Sequence, residues 1–420
     1  MTAPDWKQLL FTRRMGVCLL SGFSSGLPLY ILINLVPAWL KSEHVDLKAI
    51  GFFALIQFPY TWKFIWSPFM DRFSIPRLGR RRGWMLITQL VLLAAIAAFG
   101  LFSPLDGLSA IATLASLVAF FSASQDIVLD AYRREILAET ELGLGNSVFV
   151  NAYRLASLVP GSLSLILADH LPWSQVFLLT AVFMLPGLLL TALVREPALS
   201  KPPATLQEAV VEPFHEFFSR HGWHSALVIL GFIFLYKLGD SMATALATPF
   251  YLDLGFSKSQ IGLVAKHAAL WPAIIGGLLG GIWMIKLGIN RALWLFGIVQ
   301  VTSILGFAWL ASQGANPGAL ALVIGFEALG VGLGTAAFTA YIARTTHPRY
   351  TATQYALFTS LAAVPRTLFN AFTGVLVEHL GWQNFFLLCT ALALPGMLLL
   401  FKVAPWSEPV PQTTAPAAPH

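Results

Sequence analysis

Charge is scarce in this chain. Only 11% of its 420 residues are Asp, Glu, Lys or Arg, against roughly 25% in soluble domains, which is too little to coat a water-exposed surface. Cysteine is scarcer still. Cys18 and Cys389 are the only two, and both fall inside apolar runs at opposite ends of the chain, which excludes a disulfide framework or a cysteine metal site and leaves the redox compartment open. His221 and His224 have no set of companion ligands, and no nucleophile lies near a base in any recognisable pattern. No enzyme chemistry, metal or cofactor is therefore expected. A cleavable leader is not expected either, because "MTAPDWKQLLFTRR" runs into an apolar stretch too long for a signal peptide and without a small-residue cleavage site.

Apolar residues are abundant. They make up 57% of the sequence, with a mean hydropathy of +0.72. A hydrocarbon core about 30 Å thick needs roughly 20 apolar residues per crossing helix. Such runs fall at 15–40, 48–70, 84–102, 108–131, 145–169, 174–194, 225–250, 259–286, 291–312, 318–342, 353–378 and 383–403. The pattern predicts an all-α polytopic membrane protein with twelve transmembrane helices.

The connecting segments give the orientation. Of the 26 basic residues, eighteen fall on one set of alternating loops and ends, and only Lys41, Lys48 and Lys258 on the other. Cytoplasmic loops collect Lys and Arg, so both termini are expected in the cytoplasm, and the net charge of +6 reports topology rather than nucleic-acid binding. Five basic residues remain inside the runs: Lys63, Arg154, Lys237, Lys266 and Arg366. Asp126, Asp130, Asp240 and Glu327 join them. A charge at the bilayer centre costs at least about 2.5–3.5 kcal/mol, so these side chains should face a bundle interior or a wet cavity. They fall on the second, fourth, fifth, seventh, eighth, tenth and eleventh runs and on none of the third, sixth, ninth or twelfth. The uncharged runs would be lipid-facing supports.

"LGRRRGWML" (78–86) and "LGINRALWL" (287–295) open the third and ninth runs with one pattern. That repeat predicts two pseudo-symmetric six-helix halves, residues 1–194 and 225–403. Between them, 195–224 would form a cytoplasmic linker. Its "TLQEAVVEPFHEFF" starts on a Thr205-x-x-Glu208 capping box and reads as an interfacial helix containing Pro213. Residues 404–420 are rich in Pro, Ala and Thr and are expected to be a disordered cytoplasmic tail. Two decoys can be set aside: "GVGLG" (330–334) lies inside a span with no preceding strand, and "GGLLGG" (276–281) has the spacing of close helix packing.

"GFSSGLPL" (22–29), "KFIWSPFMDR" (63–72), "GRRRGW" (79–84), "SASQDIVLDAYRREIL" (122–137) and "YKLGD" (236–240) together resemble the AmpG muropeptide permeases of the major facilitator superfamily. The resemblance covers all twelve runs. It implies the major facilitator fold and a proton-driven importer of anhydromuropeptides in the bacterial inner membrane, recycling sugar-peptide fragments of the cell wall. It also implies a monomer whose partners are a small anionic substrate and the bilayer. The chain departs from the pattern at "LVPAWL" (35–40), at Pro365 in "AVPRTLF", and in having twelve runs where enteric members have fourteen. The wider family includes permeases for siderophores and acetyl-coenzyme A, so import of another anionic metabolite is the alternative, with a nontransporting receptor as an alternative of another class.

The candidate site residues follow from position. Asp126 and Asp130 lie one helical turn apart and share a face, as a proton-carrying pair must; for Asp130 an interfacial pair with Arg133 or Arg134 is the competing reading. Glu327 is the third proton-coupling candidate, with Arg366 or Lys266 as partner, and Asp240 the fourth, within reach of Lys237 three residues away. Arg154 and Arg366 can clamp a substrate carboxylate through two parallel hydrogen bonds, while Lys237, Lys266 and Lys63 add point charges. Gln125 would bind substrate amides or another helix. Asp71 and Arg72 follow the second run, where this superfamily carries a loop signature that, by the resemblance, latches the two halves. Arg80, Arg81 and Arg82 are read as topological charges.

Overall fold

The computed structural model describes residues 9–45, 56, 58–105, 107–197, 203, 205–257, 260–261, 264 and 266–407. The chain is helical throughout these residues apart from short connections. The elements are α1 (Arg13–Ser42), α2 (58–72), α3 (Arg81–Leu101), α4 (Leu108–Ile136), α5 (Leu142–Ala168), α6 (Trp173–Leu193), α7 (Leu206–His221), α8 (Trp223–Asp253), α9 (266–287), α10 (289–310), α11 (Pro317–Thr345), α12 (Thr351–Phe369) and α13 (Thr373–Val403).

Nine helical runs among the described residues are long and apolar enough to cross a membrane. One of them extends to Leu310 from the start of α9, and at Gly288 its backbone leaves the helical region (φ 73°), dividing α9 from α10. Gly381 breaks α13 in the same way (φ 72°). Only glycine takes such angles without strain, and both breaks follow a leucine, in "KLGIN" and "HLGWQ". Two of the anticipated spans are not among the nine. The run at 48–70 falls partly on 46–55 and 57, outside the described residues, and its described part winds as short helices with a 3₁₀ turn at Lys63–Ile65. The other is α12, which carries Thr, Gln and Ser along its length.

The inner helices widen where proline interrupts them. Pro28 in α1 is followed by a π-turn at Ile31–Leu35, and Pro160 lies in a π-turn at Val159–Leu163 of α5. A proline removes an amide donor and pushes away the carbonyl four residues back, and a wider turn absorbs both effects. Helix α7 begins as its sequence indicates: the Thr205 hydroxyl accepts from the Glu208 amide at 3.0 Å. The third, sixth, ninth and twelfth runs carry exposed apolar side chains, Leu90, Leu189, Ile298 and Leu398 among them.

Packing joins α1 to α5 and α9 to α11, while α5 against α9 and α12 against α2 and α4 bring together residues from before the linker and after it. The small residues of "GGLLGG" make the α5–α9 contact possible. Ser147 of α5 donates to the Gly277 carbonyl, and Gly281 faces Ser147. Between α1 and α5, a side chain on Gly22 would run into the Phe149 backbone, whereas Gly16 faces open space.

Gly22→Leu should therefore destabilise the bundle by about 1–3 kcal/mol through overpacking, and Gly16→Leu should leave it unchanged. Thermal melts of the two variants in detergent check this, and equal melting temperatures would refute the close approach.

Candidate functional site: two buried charge clusters and a latch

Helix α4 is polar along the face its sequence spacing indicates. Asp126 and Asp130 are both buried, and the Lys63 amine of α2 lies 4.0 Å from the first and 3.7 Å from the second. Ser25 of α1 donates to Asp126. Arg133, three residues beyond Asp130, donates to it at 2.8 Å and also to the Tyr355 hydroxyl of α12 at 2.8 Å. Its guanidinium carbon lies 3.7 Å from the centroid of the Phe149 ring. Two cations thus meet two carboxylates. Asp130 makes the pair with Arg133 that its position allowed, but deep in the protein, while Arg134 turns away to Glu139 and the Ala343 carbonyl. Gln125 donates to Ser24 of α1 at 2.8 Å, a bond between helices.

A second cluster lies among α5, α8 and α11. Within α8 a distorted turn at Lys237 separates Trp223–Leu235 from Leu238–Ala245, and there the Lys237 amine stands 3.4 Å from Asp240. Arg154 of α5 reaches across to the Ala273 carbonyl of α9 at 2.9 Å. Arg154, Lys237 and Asp240 line a cavity of about 580 Å³ together with Ser241, Thr244, Thr335, Thr359 and Asn370. The second carboxylate oxygen of Asp240 and the amide oxygen of Asn370 are buried with no hydrogen-bond partner among the described residues. Glu327 of α11 is buried beside this group and feels the charges of Asp240, Lys237 and Arg154. It makes no ion pair within 4 Å among the described residues. The side chains of Arg366 and Lys266, its anticipated partners, lie outside the described residues. Lys63 and Gln125 thus belong to the first cluster, and Arg154 and Lys237 to the cavity.

The basic end of the bundle is held shut across the same helices. Asp71, at the end of α2, is fully buried. One oxygen takes the Arg81 guanidinium at 2.8 Å, and the other takes both the amide (2.8 Å) and the hydroxyl (2.7 Å) of Thr353 in the first turn of α12. A carboxylate here satisfies an amide that a helix start leaves without a partner and meets the positive end of the helix dipole. Arg81, read from the sequence as a topological charge, is fully buried and shares its guanidinium between Asp71 and Glu135 (2.6 Å). Arg72, by contrast, lies over the Phe73 ring at 5.5 Å. Helix α7 packs over this end: Glu208 pairs with Arg349, and Glu216 and the Pro213 carbonyl accept from Gln354 at 2.7 and 2.9 Å.

Sequence reasoning named Arg133 as a possible partner of Asp130 but missed its second bond, to Tyr355, and missed Ser25, Thr353 and Glu135. The spacing of one turn from Asp130 was the signal for Arg133. Nothing marks the others, since each acts through a contact with a distant part of the chain.

Comparison with known proteins bears on this arrangement. A family model for the Major Facilitator Superfamily matches residues 18–369 and 233–419. An uncharacterized protein of Haemophilus influenzae is 50% identical over 95% of this chain and 96% of its own length. The anhydromuropeptide permease of Escherichia coli K12 is 43% identical over 92% of this chain and 79% of its own length. A putative transporter, AmpG 4 of Rickettsia felis, is 31% identical over 90% and 94%. Among solved structures, the human organic anion transporter MFSD10 (TETRAN) superposes with a TM-score of 0.67 at 17% identity, covering 92% of this chain and 99% of that one. A bacterial homologue of the iron transporter ferroportin, in an outward-facing state, gives 0.69 at 16%, covering 93% and 99%. These two likenesses concern the fold.

Removing Arg81 leaves two buried carboxylates, Asp71 and Glu135, without their shared cation. Arg81→Gln should cost about 3–5 kcal/mol, the usual penalty for breaking a buried pair, and Arg72→Gln far less. Denaturation of both variants in the same detergent checks this; similar losses would deny Arg81 its structural role.

Proposed function

The chain belongs to the Major Facilitator Superfamily, a family of transporters and not enzymes, and is related to the AmpG anhydromuropeptide permease; from that premise we propose that it imports anhydromuropeptides, driven by protons, across the bacterial inner membrane. The observation that carries this reading is the 43% identity to the permease of E. coli over 92% of this chain. The geometry supports it. A cavity of about 580 Å³ lies within the usual range for small-ligand sites. Its two cations and its hydroxyl and amide groups suit a peptide with free carboxylates joined to a sugar.

In this reading, twelve helices form two halves, 1–194 and 225–403, joined by 195–224, with both termini in the cytoplasm. Asp71 is the gate, and the closed basic end faces inward, so substrate enters from the periplasm. Arg154 and Lys237 receive its carboxylates, with Arg366 as a third cation proposed from the sequence. Lys266 contributes further positive charge.

Protons enter through the acids. With all four charges present, Asp126, Asp130, Lys63 and Arg133 sum to zero. Protonating Asp126 leaves two cations facing one carboxylate, which favours a second anion nearby. At the second cluster, protonating Asp240, or Glu327 beside it, has the same sense: Arg154 and Lys237 become available to the substrate. Release of the proton inside restores the internal pairs and expels the anion.

Uptake of labelled N-acetylglucosaminyl-anhydro-N-acetylmuramyl tripeptide into proteoliposomes tests the proposal. An imposed gradient of one pH unit should drive accumulation of up to about tenfold per proton coupled, since one unit is worth about 1.4 kcal/mol. Asp126→Asn or Glu327→Gln should abolish the gradient-driven part while exchange of internal for external substrate persists. Full coupling in both variants would rule out the proton scheme, and absence of uptake by folded, oriented wild-type protein would rule out the substrate.

A further inference from the structure

A second pocket, of about 350 Å³, opens at the basic end where four helix ends converge: α7, α8, α11 and α13. Arg220 and His221 close α7, His224 and Ser225 open α8, Arg344 comes from the last turn of α11 and Lys402 from that of α13. No carboxylate is among the described residues that line it.

The charges here are only partly spent. Arg220 is held by Glu216 at 2.9 Å and by the Thr345 carbonyl at 2.8 Å, and Arg344 donates to Asn290 at 2.6 Å. Lys402 is exposed and has no ion pair within 4 Å among the described residues. The Nε2 atom of His221 is buried with no partner among the described residues. Burial and the adjacent Arg220 charge lower the affinity of this imidazole for a proton, so at neutral pH it offers a neutral ring. The start of α8 adds a further pull on anions. Gly222, at φ 75°, precedes it, and no side chain caps its first turn, so its free amides point outward with the positive end of the helix dipole behind them.

From this convergence we propose that the pocket binds a phosphate group, supplied by a membrane lipid headgroup or by a free phosphate. Two bonded guanidiniums, Arg220 and Arg344, the exposed Lys402 amine, a neutral imidazole and an open helix start provide both charge and donors for a tetrahedral anion. Trp223 and Phe401, each next in sequence to a lining residue, are exposed (70% and 67%) and offer apolar surface to acyl chains. The occupant would tie the end of the linker helix to three ends of the bundle that follows it.

The test uses the full chain, delipidated in neutral detergent, with phosphatidylglycerol, phosphatidylcholine and inorganic phosphate as separate probes. Bound lipid is read by native mass spectrometry and stability by thermal melting. The variants are His224→Gln with Lys402→Gln, both exposed positions; Lys402→Arg as the charge-conserving control; and Lys286→Gln as an exposed cation outside the pocket. A phosphatidylglycerol adduct and melting shift seen in the wild type, Lys402→Arg and Lys286→Gln proteins but lost in the double variant would support the site with a lipid as its source. The same pattern with inorganic phosphate alone would support the site with a soluble source. No shift with any of the three probes, or a shift that the double variant retains in full, overturns the proposal and leaves the cluster as charge that sets topology.

Discussion

A charge taken out of water must find a counter-charge or a set of donors, and the interior of this bundle is arranged around that demand. Desolvating one unpaired ion costs several kcal/mol, as much as a large part of the stability of an ordinary domain. Lys63, Asp126, Asp130 and Arg133 meet it by forming one neutral group from α2 and α4. Lys237 and Asp240 meet it within a single turn of α8. Because these charges must face inward, they fix the rotation of the helices that carry them, and the apolar faces opposite are what lipid can accept.

The same demand explains how the basic end is closed. Asp71 is neutralised from behind by Arg81, which Glu135 holds in turn. With its charge already balanced, Asp71 can offer its second oxygen to the start of α12 through the Thr353 amide and hydroxyl. Arg81 therefore has two functions that are not visible from its place in a basic loop. It supplies the counter-charge of Asp71 in a dry setting, and it holds one carboxylate oxygen so that the other meets the start of α12.

Much of this was legible in the sequence, and the boundary of what was legible is physical. Hydropathy located the runs because a bilayer imposes one length on every crossing, and local spacing found Asp126 with Asp130 and Lys237 with Asp240 because a helix puts residues three or four apart on one face. The capping box at Thr205 was likewise local. The apolar runs at 259–286 and 291–312 left a gap between them, and Gly288 divides α9 from α10 inside it. Contacts between distant segments left no such trace. Tyr355 and Thr353 read as ordinary polar residues of an apolar helix, and Ser25 as one of several small residues in α1; their roles depend on which helix lies opposite. Arg81 was misjudged for the same reason, since burial is decided by Asp71 and Glu135, the latter 54 residues away.

The partition of bonds between the two sides of the linker bears on movement. Among the described residues, the ion pairs of the bundle stay on one side: Arg14 with Glu141, Lys63 with Asp126 and Asp130, Arg81 with Asp71 and Glu135, Arg133 with Asp130, and Lys237 with Asp240. The polar bonds that cross from residues before 194 to those after 225 have a neutral group at one end at least. Asp71 meets Thr353, Arg133 meets Tyr355, Arg134 meets the Ala343 carbonyl, Arg154 meets the Ala273 carbonyl, and Ser147 meets the Gly277 carbonyl. A hydrogen bond to a charged group contributes about 1.5–3 kcal/mol, and water admitted to an opening cleft can replace it. A buried ion pair pulled apart costs about 3–5 kcal/mol with no such replacement inside either half. Separation along this boundary therefore breaks the cheaper class of bond and leaves Asp71, Arg133 and Arg134 still holding their own counter-ions. Arg154 is the exception, because its guanidinium has no ion pair within 4 Å among the described residues and its one described side-chain bond, to the Ala273 carbonyl, is itself a bond across this boundary.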